Sequence, residues 1–129
     1  MKIAMLIVRT LMGLLFVFSS VTFLAGLIQP PPMEGPIKEF NEGLAASGYF
    51  MPLLKVTELV CGLLLLSGRF VPLALVILAP IVVNIFFVHL FIAREGLVIG
   101  FVVVAMEMFL AYYYRDAFEP LFKPTHELR

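Results

Sequence analysis

Four long apolar runs, at 3–28, 52–67, 70–91 and 97–114, take up most of this chain. A helix needs roughly 20 residues to cross a bilayer. Each run comes close to that, so the sequence predicts an all-α integral membrane four-helix bundle. Ionisable or strongly polar residues lie inside the runs: Arg9, Glu58, Asn84, His89 and Glu107. A charge at membrane depth costs about 2.5–3.5 kcal/mol even on the lenient insertion scale, so these positions face the bundle interior and mark candidate sites.

Composition narrows the function classes. The chain is 62% hydrophobic and 14% charged, against about 25% charged in an average soluble domain. Its formal net charge is zero and no Lys/Arg stripe is present, which argues against a nucleic-acid partner. Cys61 is the single cysteine. It cannot form an internal disulfide, no CxxC is present, and it reads as a packing residue. The first run exceeds the roughly 7–15 apolar residues of a signal peptide and precedes three more spans, so it reads as a retained helix.

Local signals set the boundaries. Pro30-Pro31-Pro32 ends the first span. In the long loop that follows, Ile37, Phe40 and Leu44 recur at helical spacing among Glu34, Lys38, Glu39 and Glu42. The pattern predicts a short interfacial helix, the best lid candidate. Pro52 suits the start of the second span, and Gly68-Arg69 forms a tight turn to the third. Pro80 predicts a kink, with Asn84 one turn further on. Gly96 and Gly100 form a GxxxG pattern that allows close helix approach. Tyr112-Tyr113-Tyr114-Arg115 reads as an aromatic belt with an anchoring charge, and the tail 115–129 as a surface segment.

Lys2, Arg9, Arg69, Arg115, Lys123 and Arg129 fall on one side of the membrane, and Lys38, Lys55 and Arg94 on the other. The excess of basic residues predicts that both termini of this multi-pass protein are cytoplasmic, in the cell (inner) membrane.

Because consecutive spans alternate direction, depths can be compared. Ser19, Ser20, Thr22, Thr57, Glu58, Asn84 and His89 share the half beneath the long loop. Glu58 lies roughly 9 Å in from Pro52 and Asn84 roughly 10 Å in from Phe91, at 1.5 Å per residue. A carboxyl, an amide, an imidazole and hydroxyls in one pocket suit proton handling, or hydrogen bonds to a quinone or a lipid head group. The candidates are Glu58, His89, Asn84 and Ser20. Each also has a structural role open to it: Glu58 bonded to a neighbouring helix, His89 donating to a backbone carbonyl, Asn84 as helix glue beside Pro80. In the opposite half, Arg9 and Glu107 are expected to pair as a structural staple, or Arg9 to snorkel to the head groups. No metal is expected. Zinc needs three or four ligands and Glu58 with His89 supplies two, while the other histidine, His126, lies in the tail.

Several motifs together resemble the DoxX-like family of small four-helix membrane proteins. Arg9-Thr10-Leu11-Met12-Gly13-Leu14-Leu15-Phe16 is similar to the family's opening. So are Ser47-Gly48-Tyr49-Phe50-Met51-Pro52, then Glu58, Gly62-Leu63-Leu64-Leu65-Leu66, Gly68-Arg69, and Pro80-Ile81-Val82-Val83-Asn84 with His89-Leu90. Arg9, Glu58, Asn84 and His89 match positions of the family pattern. Many members have Ser-Gly and then Lys after the first apolar stretch, where this chain reads Ser19-Ser20-Val21-Thr22. The family takes its name from subunits of a quinone-reducing oxidoreductase. The resemblance therefore implies a redox-linked accessory subunit binding a quinone- or lipid-like ligand, with no complete catalytic set of its own. Two other readings stay open: an assembly factor or structural subunit for another membrane protein, working with that partner or as a homo-oligomer, and a small proton-coupled transporter.

Overall fold

The computed structural model describes residues 2–26, 34–92 and 94–125. The triple proline at 30–32 and the tail's end, with His126, lie outside the described residues. The chain runs through helices α1 (Lys2–Leu24), α2 (Pro36–Ala46), α3 (Phe50–Ser67), α4 (Val71–Phe87), α5 (Leu97–Tyr113) and α6 (Arg115–Phe118). A π-helical turn, Val88–Ile92, continues α4, and 3-10 turns cover Arg94–Gly96 and Glu119–Phe122. No strand occurs among the described residues.

Four helical segments, of 23, 18, 22 and 20 residues, are long and apolar enough to cross a membrane. At 1.5 Å per residue they measure about 35, 27, 33 and 30 Å, close to the roughly 30 Å of a hydrocarbon core. The expected spans are all present, with shifted ends. The first stops at Leu24 rather than residue 28, because the chain turns at Gly26, whose φ is 67°. Glycine tolerates the left-handed conformation that ends a helix.

The second span starts at Phe50, two residues before Pro52. The Ser47 hydroxyl explains the earlier start. It accepts from the Phe50 and Tyr49 backbone N–H groups at 3.0 and 3.4 Å, and donates to the Leu44 carbonyl at 2.8 Å. One side chain thus caps α3 and closes the last turn of α2, while Gly48 (φ 79°) makes the corner. Pro52 then falls in the first turn, where its missing N–H leaves no bond unmade.

The spans contact one another in a ring: α1 with α3, α3 with α4, α4 with α5, and α5 back to α1. Their buried residues fall on seams. Met5, Met12, Phe16 and Ser20 face inward on α1, and Glu58, Cys61, Gly62 and Leu65 on α3. On α4 the buried set is Val71, Ala74, Leu75, Leu78 and Val82. On α5, Gly100, Val103, Glu107 and Leu110 repeat at spacings of three and four, one stripe of a helix. Leu11, Leu14, Leu63, Val98 and Met108 point outward, more than half exposed, as suits a surface bathed in lipid tails.

α1 and α3 form the most extensive helix pair. They cross at two glycines. A Cβ on Gly62 would lie 2.8 Å from Val17 Cγ2 and 3.0 Å from the Gly13 carbonyl oxygen. A Cβ on Gly13 would meet Leu66 Cγ at 2.9 Å and the Gly62 carbonyl oxygen at 3.0 Å. Small residues let backbones approach where no hydrophobic effect drives helices together. At the other wall Gly100 lies at ordinary contact distance from α4, and Gly96 makes room for a side chain. A Cβ on Gly100 would sit 3.5 Å from Phe86 Cα, and one on Gly96 would collide with the His89 ring.

Three glycines give a test. Gly62→Leu must push α1 from α3 and is expected to cost about 2 kcal/mol or more. Gly68 has φ 77° and no room for a Cβ beside the Arg9 guanidinium, 3.1 Å away. Gly68→Ala is therefore expected to cost about 1–2 kcal/mol. Gly43, inside α2 with open space around it, is expected to gain about 0.5–1 kcal/mol as Ala. Unfolding in mixed micelles, followed by circular dichroism, checks all three. Equal effects at Gly62 and Gly43 would contradict the crossing.

Candidate functional site

Beneath the long loop a cavity of about 380 Å³ opens at one end of the bundle. Every span contributes to it: Phe16 and Ser19 from α1, Lys55 and Glu58 from α3, Ile85 and His89 from α4 and its π turn, Ile99 and Val103 from α5. Phe40, Asn41 and Leu44 of α2 roof it. The interfacial helix expected from the sequence thus lies over the site, and its polar face carries the exposed Lys38–Glu42 pair at 3.9 Å. A neighbouring hollow of about 620 Å³, bounded by Phe23, Ala45, Tyr49 and Pro52, shares Lys55, Asn41, Leu44 and Met51 with it.

Glu58 is buried at 4% exposure. Its partner is Lys55, one turn earlier on the same helix, with Nζ 3.2 Å from Oε2. The Lys55 side chain is 15% exposed. Its ammonium also donates to Ser19 Oγ at 3.2 Å and lies 5.6 Å from the centre of the Phe23 ring. The lysine therefore bridges α3 to α1. The ammonium occupies one acceptor position of the carboxylate, which has others to offer. Lys55 was not among the residues expected at the site, since the sequence reading counted it as a charge flanking the membrane. The signal was present: three residues separate it from Glu58, which puts both on one helical face.

His89 lines the same cavity from the π turn. Nδ1 lies 2.7 Å from the Ile85 carbonyl oxygen. A carbonyl only accepts, so Nδ1 carries a proton in this contact, and the Cδ2–Nε2 edge of the ring lies against Gly96. Gly96, with no side chain, leaves room for the ring. π turns inside helices are frequent at functional sites, and this one sets the direction of the imidazole.

The other two candidates stand elsewhere. Asn84 is exposed on the outer face of α4 and donates from Nδ2 to the Pro80 carbonyl at 2.9 Å. It does not line the cavity. Ser20 is fully buried in the α1 seam, with Oγ unpartnered among the described residues, while Ser19 takes the place on the cavity wall. Cys61, 1% exposed, packs in the core one turn below Glu58.

The expected Arg9–Glu107 pair does not form. Arg9 Nη1 instead donates to the Tyr114 hydroxyl at 3.2 Å, and the guanidinium lies against Gly68. The two Cα atoms lie at similar depth, about 10 and 9 Å from the end that carries the termini. Side chains, however, lean toward the N-terminus of their own helix. α1 and α5 run in opposite directions, so Arg9 reaches to the rim while Glu107 leans toward mid-membrane. Arg9 therefore pairs with Tyr114 and the Gly68 turn rather than with Glu107.

Comparison with known proteins adds one match. A family model described as DoxX matches residues 4–90. No curated protein and no solved structure matches the chain. The matched stretch takes in Arg9, the Gly13–Gly62 crossing, Ser47, Lys55, Glu58 and His89. With four helices long and apolar enough to cross a membrane, the chain is a multi-pass membrane protein that belongs to the DoxX family.

Proposed function

We propose that this protein is a redox-linked accessory subunit that holds a quinone- or lipid-like amphiphile in the cavity beneath α2. The observation that carries this reading is the buried Lys55–Glu58 pair on the wall of an apolar space that the His89 ring also lines. The ammonium can donate to a ligand and the carboxylate can accept from one. A carbonyl oxygen suits the lysine, and a hydroxyl suits the carboxylate, so both the oxidised and the reduced form of a quinone find partners. The volume, about 380 Å³, falls within the roughly 300–1,000 Å³ usual for small-molecule sites. Phe16, Leu44, Ile85 and Val103 supply apolar walls. Ser19 steadies Lys55, and the Ile85 carbonyl steadies His89. When bound, the quinone would supply the two-electron chemistry. These residues bind, orient and hold a proton at Glu58, and electrons would come from a partner subunit.

The placement of basic residues supports termini on the cytoplasmic side and a cavity opening to the other, in the cell membrane. Lys55 is engaged within the cavity rather than at the flank, which deepens the imbalance between the two sides.

Native mass spectrometry of the protein, extracted gently from its own membranes, tests the proposal. The wild-type chain is expected to carry a small-molecule mass matching a quinone or a lipid. Glu58→Gln and Lys55→Met are expected to lower its occupancy about tenfold, the scale of one charged hydrogen bond lost. His89→Ala is expected to reduce it less, because the ring is part of the wall and not of the charged pair. A bare chain, or unchanged retention in all three variants, would refute the ligand site. A chain carrying a second protein and no small molecule would favour the assembly-factor reading.

A further inference from the structure

A second cavity, of about 480 Å³, lies at the end of the bundle that carries the termini, between α4, α5 and the segment 115–122. Its walls are apolar and aromatic, with Leu75 and Met108 on the spans and Tyr112, Phe118 and Phe122 toward the rim. One acid, Glu107, lines it at depth. Glu107 is 8% exposed, and its Oε2 has no hydrogen-bond partner among the described residues. Two cations lie nearby, Arg9 and Arg115, and Arg115 lines the cavity at its rim. Arg9 is bonded to the Tyr114 hydroxyl. Arg115 donates to the Tyr112 carbonyl at 2.9 Å and stacks 4.4 Å from the centre of that residue's ring. No salt bridge to Glu107 occurs among the described residues.

We propose that this cavity binds a monovalent lipophilic organic cation, with Glu107 as its counter-ion. A buried carboxyl calls for a partner. The space beside it is lined by apolar carbon and aromatic rings, so the partner must tolerate losing its hydration shell. A small inorganic cation does not qualify: magnesium and calcium need six or more oxygen ligands, and the cavity offers one carboxyl at depth. A neutral lipid fits the walls but leaves the acid unanswered. An organic cation whose charge is spread beneath apolar groups meets both demands. The rings of Phe118 and Phe122 add attraction through their quadrupoles, while at the rim Glu119 offsets the charge of Arg115. Such ions partition into bilayers, so they can reach a cavity set among spanning helices from the lipid side. This site is independent of the one beneath α2.

Tetraphenylphosphonium, titrated into the full chain in lipid nanodiscs by calorimetry, is the test. Tetraphenylborate, of the same shape and opposite charge, is the control. Saturable one-site binding of the cation alone is expected. Glu107→Gln is expected to weaken it about tenfold or more, as loss of a buried charge partner does. Ala111→Phe, which fills the cavity and keeps the acid, is expected to abolish it. Glu58→Gln, in the other cavity, is expected to shift it by less than about twofold. Equal binding of the borate, or an unchanged affinity in Glu107→Gln, would overturn the proposal. If Glu107→Gln does not fold, Ala111→Phe decides: a folded variant that binds the cation normally would overturn it.

Discussion

The backbone contact between Gly13 and Gly62 sets the register on which both ends of the bundle depend. α1 and α3 run antiparallel, so residues equally far from the crossing on opposite sides of the sequence come level. Ser19 lies six residues beyond Gly13 and Lys55 seven before Gly62, each about 10 Å from the crossing, and they meet at 3.2 Å. Toward the other end, Arg9 lies four residues before Gly13 and Gly68 six beyond Gly62, and the guanidinium rests on that turn. A one-turn slip would part Lys55 from Ser19 and leave Arg9 without its place at the rim. Within hydrocarbon, such packing contacts hold helices together because lipid tails are as apolar as leucine. Two hydrogen side chains thus fix the polar architecture of the protein.

Charge is handled differently at the two ends. At the loop end an acid and a base share one helix, and a serine from the neighbouring helix steadies the base. At the end carrying the termini, arginines hold tyrosines at the rim while Glu107 stands alone at depth. Between and around the two acids the packing is apolar: Cys61, Leu65, Leu78 and Leu110 are all buried in one shared core.

Most of the fold was legible in the sequence because hydrocarbon leaves few options: long apolar runs, prolines and glycines set the spans and turns, and spacing alone gave the short helix over the loop end. The second span's start was less legible, because Ser47 caps it through a side-chain contact that Pro52 masks. At the site, depth was legible and azimuth was not. Asn84 matched Glu58 in depth, yet it lies two residues past Val82 in the α4 seam, about 200° round the helix, and so faces outward. Ser20 and Ser19 differ by about 100° in the same way, which exchanges a core position for a cavity wall. Arg9 and Glu107 matched in depth but lean apart, a consequence of Cβ direction in antiparallel helices. Lys55 was hidden by its reading as a flank.

The pairing of Lys55 with Glu58 on a single helix bears on how the protein enters the membrane. Charges three residues apart can meet as soon as α3 coils, before any neighbouring span is present. The helix can therefore partition into the bilayer with its acid and base already compensating each other, lowering the penalty each would meet alone. α5 has no such companion: Val103, Val104, Leu110 and Ala111, the residues one turn to either side of Glu107, are all apolar. Its acid must wait for the assembled bundle to shelter it. α5 is thus a span whose insertion leans on the helices made before it.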